Sequence, residues 1–319
     1  MVVAAAKKKK ATYKVKNWRE YNESLVRRGD ITFWFSPDVV AAWEHDNAAW
    51  KVGRPFVYSD VAIEVLLTLR ELFRLPYRQT EGLGRALAEL MQANIAIPDF
   101  TSLQKRAGKL KIASRVDPAA RGPLHVVVDS TGVKVYGAGE WRVRYQRLER
   151  RREWRKLHLA INPQTHEIVA HLLTSNQTGD AEHVAPLLDQ VQQPVKELLA
   201  DGGYDHWHVY ETLAQRRIKP IISLRKNASI RQHGNSHAMP LPRDENLRQV
   251  RRFGPKGWKR RVGYHRRSLV ETAFSRLKRA FGDRLKNQTL PNQQTETTLR
   301  CKLLNHFTTL GMPKFVWNG

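Results

Sequence analysis

Leu124-His125-Val126-Val127-Val128-Asp129-Ser130-Thr131-Gly132 is a short, mostly β-branched apolar run that stops at an acid followed by small residues. Such a run reads as a buried strand. A second run, Val195 to Ala200, ends in the same way at Asp201-Gly202-Gly203-Tyr204-Asp205. An acid at the end of a buried strand is costly unless it is solvated, paired or metal-bound. In open sheets the crevice at the carboxyl ends of strands is where ligands sit. The small residues that follow each acid let a backbone or a substrate come close. Alone, each reads as an ordinary turn aspartate. Two at equivalent places make a more specific pattern.

Working outward, Val133 to Tyr136 either continues the first strand or forms a hairpin. Lys156 to Asn162 and Glu167 to Leu173 flank a turn at Asn162-Pro163-Gln164-Thr165 and read as two antiparallel strands. Asp180 opens a helix to about Gln193. A helix from about His208 to Arg216 precedes a strand from Lys219 to Leu224. Arg225 to Gly263 is basic and punctuated by proline and glycine, with no clear period, and reads as an inserted loop. A helix from Arg267 to about Gly282 and a last one from Thr295 to Leu310 complete the order. Three strands, helix, strand, helix, strand, helix predicts an α/β mixed sheet over residues 122–313, with early strands antiparallel and later ones parallel.

Before this region, residues 1–35 form a basic tail with no sustained period. Residues 36–117 carry helix starts at Ser36-Pro37-Asp38, Ser59-Asp60, Thr80-Glu81 and Pro98-Asp99. The first of these predicts a helix through Trp50. The last is basic, with Lys105 and Arg106 at its exposed side. Several short helices ending in a basic one read as a helix-turn-helix-like DNA-binding module, or as a plain helical bundle. Asp117 to Pro123 is a linker by composition.

Charge narrows the partner. Lys+Arg 55 against Asp+Glu 30 gives +25 over 319 residues, an excess that favours polyanions through steering and counterion release. It is clustered: Arg142 to Lys156 holds eight Lys/Arg against two acids, and Arg243 to Arg279 thirteen against three. Arg155 and Lys156 belong to the first cluster. Nucleic acid is the expected partner, with an anionic membrane surface second, and a structural protein of RNA particles would carry a similar charge. No apolar run is long enough to span a membrane, and one cysteine, Cys301, excludes a disulfide framework and a Cys-based zinc site. A cytoplasmic, nucleoid-associated protein is expected.

The third carboxylate lies in Tyr264-His265-Arg266-Arg267-Ser268-Leu269-Val270-Glu271-Thr272-Ala273-Phe274-Ser275-Arg276-Leu277-Lys278. On a helix, Arg267, Glu271 and Lys278 fall within about 60° of Tyr264, opposite Val270, Ala273, Phe274 and Leu277. The stripe by itself also reads as a solvated, salt-bridged face. Together with Asp129 and Asp201, three carboxylates without a His/Cys cluster suit a hard cation, Mg²⁺ or Mn²⁺. Two such ions about 3.5–4 Å apart clamp both oxygens of an in-line phosphoryl displacement. The chain has no GxxxxGK[ST], HExxH or GxSxG run, which removes P-loop, zincin and hydrolase-elbow chemistry.

Tyr264-x2-Arg267-x3-Glu271-x6-Lys278 resembles, position for position, the Y-R-E-K signature of the DDE transposases of bacterial insertion sequences. His125 to Gly132 resembles that family's first-aspartate strand, and Leu199 to Asp205 its second-aspartate motif. Tyr58 to Ile63 and Gly139 to His158 are similar to the subgroup numbered five among these elements. The likeness runs from about Asn17 to Pro313; the lysine-rich start departs from it. The resemblance implies an RNase H-like catalytic core and a Mg²⁺-dependent enzyme that cuts and joins DNA. It implies Asp129, Asp201 and Glu271 as the metal-binding catalytic triad, with Tyr264, Arg267 and Lys278 contacting DNA near the cleaved ends. The implied partner is double-stranded DNA, as terminal inverted repeats and target DNA, with a homodimer or higher multimer bringing two ends together. The alternatives are a non-catalytic DNA-binding regulator derived from a transposase, and a nuclease of the same fold that cuts without joining.

Overall fold

A computed structural model describes residues 12–47, 55–112, 122–135, 154–232 and 240–318. The lysine-rich start, most of the linker, the basic run from Arg142 to Glu153 and the centre of the 225–263 insertion lie outside the described residues. Strand β1 (Thr12–Val15) leads into helices α1 (Trp18–Val26), α2 (Pro37–Ala41), α3 (Asp60–Phe73), α4 (Tyr77–Leu90) and α5 (Phe100–Ala107). Then come β2 (Leu124–Val135), β3 (Trp154–Ile161), β4 (Ile168–Ser175), α6 (Val184–Asp189), β5 (Val195–Ala200), α7 (Trp207–Gln215) and β6 (Lys219–Ile222). The chain closes with α8 (Pro242–Arg261), α9 (Ser268–Phe281), β7 (Arg284–Leu285), α10 (Leu290–Leu310) and β8 (Phe315–Asn318).

The main sheet has the order β4-β3-β2-β5-β6, with β7 against the far end of β2. β2–β3 and β3–β4 are antiparallel, while β2–β5 and β5–β6 are parallel. This is the mixed α/β sheet that the strand order predicts. Strand side chains alternate between faces, and the core divides accordingly. Val127, Leu157, Leu159, Leu199 and Ile221 face α9 and α10, packing on Val270, Phe274, Leu277 and Leu303. Val126, Val128, Leu198 and Ala200 face the other way, onto Val184, Leu187, Val209 and Leu213 of α6 and α7. Complete burial of such side chains is worth about 1.5–3 kcal/mol each.

Four local expectations change. β2 continues past Asp129 to Val135, because β3 stays paired with it as far as Lys134↔Trp154; the hairpin alternative is out. The helix predicted through Trp50 stops at Ala41, and Trp43 is instead buried with its indole N–H donating to the Ala96 carbonyl at 2.7 Å. The insertion contains α8, broken at Gly254 (φ 71°) ahead of Pro255. Its buried positions are Arg243, Asp244, Leu247 and Trp258, so two of the inward residues are charged and hydrophobic periodicity cannot show it. The two chain ends pair as β1 and β8, a contact between residues some 300 apart that no local pattern announces.

The early helices have their own core of Leu66, Leu69, Leu87 and Leu103, to which α10 contributes Leu299. Ser59 and Asp99 cap α3 and α5 as expected, the Ala62 N–H donating to Ser59 Oγ at 3.2 Å and the Thr101 N–H to Asp99 at 2.8 Å. Beneath this core runs a buried ion chain. Arg300 of α10 donates to Glu71 of α3 at 2.9 Å and also to Glu296. Burial and the neighbouring Glu296 push the Glu71 carboxyl up, against Arg300 and Arg70. Removing one partner of such a cluster strands the others. Arg300→Leu is expected to cost about 3–5 kcal/mol, read as a lower urea midpoint with an unchanged slope; a loss under about 1 kcal/mol would show that the cluster contributes nothing net.

A candidate acidic active site on the sheet and its covering helix

The last parallel pair between β2 and β5 is Val127↔Leu199. Two residues further on, Asp129 continues β2 and Asp201 stands directly after the end of β5, close enough for its charge to act on Asp129. Both share the parity of Val127 and Leu199, so both point to the face covered by α9. The first turn of α9 carries Glu271. Arg267, in the 3₁₀ turn before α9, donates to Asp129 Oδ2 at 3.0 Å and to Glu271. The three sequence-predicted carboxylates thus gather about one guanidinium.

The electrostatics reflect this crowding. Burial pushes the Asp129 carboxyl up, and Asp201 and Glu271 add to the rise. The Ser130 N–H, at 2.8 Å, and Arg267 pull it down. Arg267 itself is raised by Tyr264, Asp129, Glu271 and Asp201, against its burial. Asp201 accepts the Gly203 N–H at 2.8 Å, and a Cβ at Gly203 would lie 2.9 Å from Asp201 Oδ1. A side chain there would force the Asp201 carboxylate to shift.

An all-oxygen donor set matches a hard divalent cation. Among the described residues, however, no three His, Cys, Asp or Glu side chains stand together as a ready metal cage. The Arg267 guanidinium lies between Asp129 and Glu271. The residues fit such an ion chemically, provided that Arg267 releases one of its two carboxylates.

The other predicted contact residues fall into different settings. Lys278 reaches across to Thr131 Oγ1 at 2.7 Å, keeping its amine beside β2. Tyr264 is buried, 8% exposed, and its hydroxyl donates to the Ala200 carbonyl at 3.3 Å. It braces the strand end that carries Asp201 and leaves the exposed stripe to Arg267, Glu271 and Lys278. The helical stripe fails at Tyr264 because that residue lies in the tighter 3₁₀ turn. Arg155 donates to Gln293 of α10 at 3.0 Å. Lys156 is paired with Asp180 at 2.8 Å and donates to the Thr178 carbonyl at 3.0 Å. Lys105 is exposed on α5, whereas Arg106 turns inward to Asp60 and the Tyr58 carbonyl and lies over the Phe56 ring.

Sequence reasoning missed a supporting layer. Asp180, read as a helix start, accepts from Ser130 Oγ at 2.9 Å as well as from Lys156, and so steadies the residue next to Asp129. Tyr204 is buried with no hydrogen-bond partner for its hydroxyl among the described residues. Its burial and the nearby Asp129, Asp180 and Asp201 push the phenol well up. Asp205 is buried and takes a forked ion pair from Arg243 of α8, at 2.7 and 3.2 Å, plus the Tyr210 hydroxyl at 3.1 Å. That clamp ties the insertion to the loop bearing Asp201. The signal for it was Asp205 itself, a second acid directly after Asp201-Gly202-Gly203-Tyr204.

The mixed sheet thus carries Asp129 within one strand, Asp201 just past the end of the next and Glu271 on the covering helix. Residues 120–305 match a family model described as Transposase DDE domain, and residues 26–138 match a second model of that description. The chain belongs to the DDE transposase family. Among solved structures it is similar to a piggyBac transposase synaptic complex with hairpin DNA, at 9% identity and a TM-score of 0.40, covering 89% of this chain and 75% of that one. It is also similar to a pre-cleavage Mos1 transpososome, at 11% identity and a TM-score of 0.22, covering 84% of each chain.

The Asp205–Arg243 clamp carries a pH signature. Hydrogen bonds and charge from Arg243, with the Arg225 N–H, hold the Asp205 carboxyl below its ordinary value against the opposing effect of burial. A depressed carboxylate contributes stability above its unfolded pKa, about 3.9, and loses it as pH falls through the folded value. Arg243→Met is expected to cost about 3–5 kcal/mol at neutral pH. The gap from the unaltered chain should narrow below about pH 4; urea unfolding at pH 7 and pH 3 measures both, and a pH-independent gap would contradict the pairing.

Proposed function

We propose that the chain is the DNA transposase of an insertion sequence in the subgroup numbered five, carrying the Y-R-E-K signature at Tyr264, Arg267, Glu271 and Lys278. It binds terminal inverted repeats, hydrolyses the phosphodiester at each 3′ end, and directs the freed 3′-hydroxyls onto target DNA. The observation that carries this reading is the gathering of Asp129, Asp201 and Glu271 about Arg267, in a chain of this family. In the first step the water oxygen bonds to phosphorus as the 3′-oxygen leaves. In the second the 3′-hydroxyl bonds to a target phosphorus and a target 3′-oxygen leaves. Asp129, Asp201 and Glu271 would hold Mg²⁺ or Mn²⁺, two ions in this reading, which when bound activate the attacking oxygen and stabilise the leaving one.

The chain's own residues prepare that site. Arg267 offsets the repulsion among the carboxylates and is placed to turn to a DNA phosphate. Lys278, steadied by Thr131, presents a second cation on the same face. Tyr264 and the Asp205–Arg243 clamp fix the strand end and loop from which Asp201 projects. Exposed Lys105 on α5 supports a DNA-facing role for residues 36–117, and the net charge of +25 supports a polyanionic partner. Two ends require two sites, so a homodimer or larger multimer assembles on DNA at the nucleoid. No helix of the described residues is long and apolar enough to cross a membrane.

The test uses a labelled duplex from the DNA bordering the reading frame and a supercoiled target. Asp129→Asn, Asp201→Asn and Glu271→Gln are each expected to reduce cleavage by at least about 10³-fold with binding retained, and EDTA to stop cleavage by the unaltered chain. Cleavage near the unaltered rate in any of the three removes that residue from the triad. Binding without cleavage supports the regulator reading, and cleavage without joining the nuclease reading. Lys278→Ala should make the salt dependence of binding shallower by about 0.9 in log–log slope, the value of one phosphate contact.

A further inference from the structure

A cavity of about 670 Å³ lies where the early helices meet the sheet-bearing part of the chain. Its walls are the α3–α4 corner, the end of α9, β7 and the start of α10. Arg74, Arg284 and Lys286 line it, and among the described residues none of the three is paired with a carboxylate. Among the described residues, the Arg74 guanidinium donates to the Ala280 and Arg279 carbonyls. The acid on the rim, Asp283, is already engaged by Lys134 at 3.0 Å. Lys286 is half-buried, and its desolvation lowers the amine pKa. Two long helices begin at this wall, α4 after Pro76 and α10 after Thr289, neither with a capping side chain. Their positive ends add to the same sign of charge. Three cations with no carboxylate ion-pair partner among the described residues, beside one acid already engaged, in a recess of ligand size, form an anion site.

Its position relates it to the carboxylates. α9 runs from Glu271 to Phe281 at the cavity wall, ten residues or about 15 Å. β2 runs from Asp129 to Lys134, which pairs with Arg284 of β7, over about 17 Å. Lys278 lies between the two ends on α9. Along a duplex axis the phosphates of one strand recur about every 3.4 Å, so a duplex lying along this line would place the cavity about four or five base steps from the acidic site. We propose that this seam cavity binds backbone phosphates of the DNA strand engaged at the carboxylates, with Arg284 and Lys286 as the main contacts. The assignment of DNA as the source of the phosphate rests on the function proposed above. Because the cavity joins α3–α4 and α5 to α9 and α10, a phosphate seated in it couples the helical region to the site.

The experiment uses the full chain and a labelled 30-base-pair duplex of arbitrary sequence. Binding is followed across salt concentrations for the unaltered chain, for Arg284→Gln/Lys286→Gln and for a control, Lys196→Gln, at an exposed position on β5. Thermal unfolding checks that each variant is folded. The double variant should show a log–log salt slope shallower by about 1.8, two phosphate contacts, while the control changes little. Acylation of Lys286, read by mass spectrometry, should be suppressed by the duplex. In a chain that binds duplex, an unchanged slope with Lys286 unprotected overturns the inference and leaves the proposed function standing. Protection by pyrophosphate or ATP but not by duplex assigns the site to a free polyphosphate and overturns the DNA assignment. A chain that binds no duplex at all fails both readings.

Discussion

Asp129, Asp201 and Glu271 lie close enough for the latter two to raise the Asp129 carboxyl, and like charges resist such crowding. One guanidinium, Arg267, lies between Asp129 and Glu271, while Asp201 follows the end of the adjoining strand. Much of the architecture serves this placement. The parallel β2–β5 pair brings two aspartates near each other, and strand alternation turns both to the same face. The apolar side of α9 then presses its polar side over that face, through Val270, Ala273, Phe274 and Leu277. Asp129 is left with a carboxyl raised by burial and by its neighbours. A site that is electrostatically unsatisfied in this way favours a cationic ligand.

A second layer holds the frame against that repulsion. Tyr264 anchors the end of β5, Asp180 ties down Ser130 with help from Lys156, and Arg243 reaches from α8 to the buried Asp205. A fourth long-range tie is the Glu71–Arg300–Glu296 chain, which binds the early helices to α10. Each of these polar contacts fixes a direction that apolar packing alone leaves soft, and removing one partner of a buried pair strands the other. The helical region is therefore docked through α10, the same helix that backs the sheet, and the cationic seam cavity sits at that junction.

Much of this was legible in order along the chain. The β-branched runs before Asp129 and Asp201 marked strands because full burial on both faces demands continuous apolar residues. The caps Ser59 and Asp99 marked helix starts because their oxygens satisfy otherwise unpaired N–H groups. Glu271 was legible from its spacing to Arg267 and Lys278. What local pattern could not show was any element whose inward residues are charged, such as α8 with Arg243 and Asp244, or any pairing between distant segments, such as β1 with β8. Arg106 shows the same limit from the other side: basic and surface-like in sequence, it is spent on Asp60 and a carbonyl of its own region.

The amino-acid sequence by itself determined the α/β class, most of the order of strands and helices and the polyanion-seeking charge, while its resemblance to a family singled out three acids by their signature spacing. The first three follow from periodicity, capping and composition. Only the tertiary structure decided that Asp129 lies within a continuing strand, that Tyr264 braces the frame from inside, that Arg267 bridges two of the acids, and that Arg284 and Lys286 share a cavity with the early helices. Each of these depends on which distant residue supplies the partner for a buried polar group. That choice is made by packing the whole chain, because a charge or a hydrogen-bonding atom removed from water must find its match wherever the fold brings one.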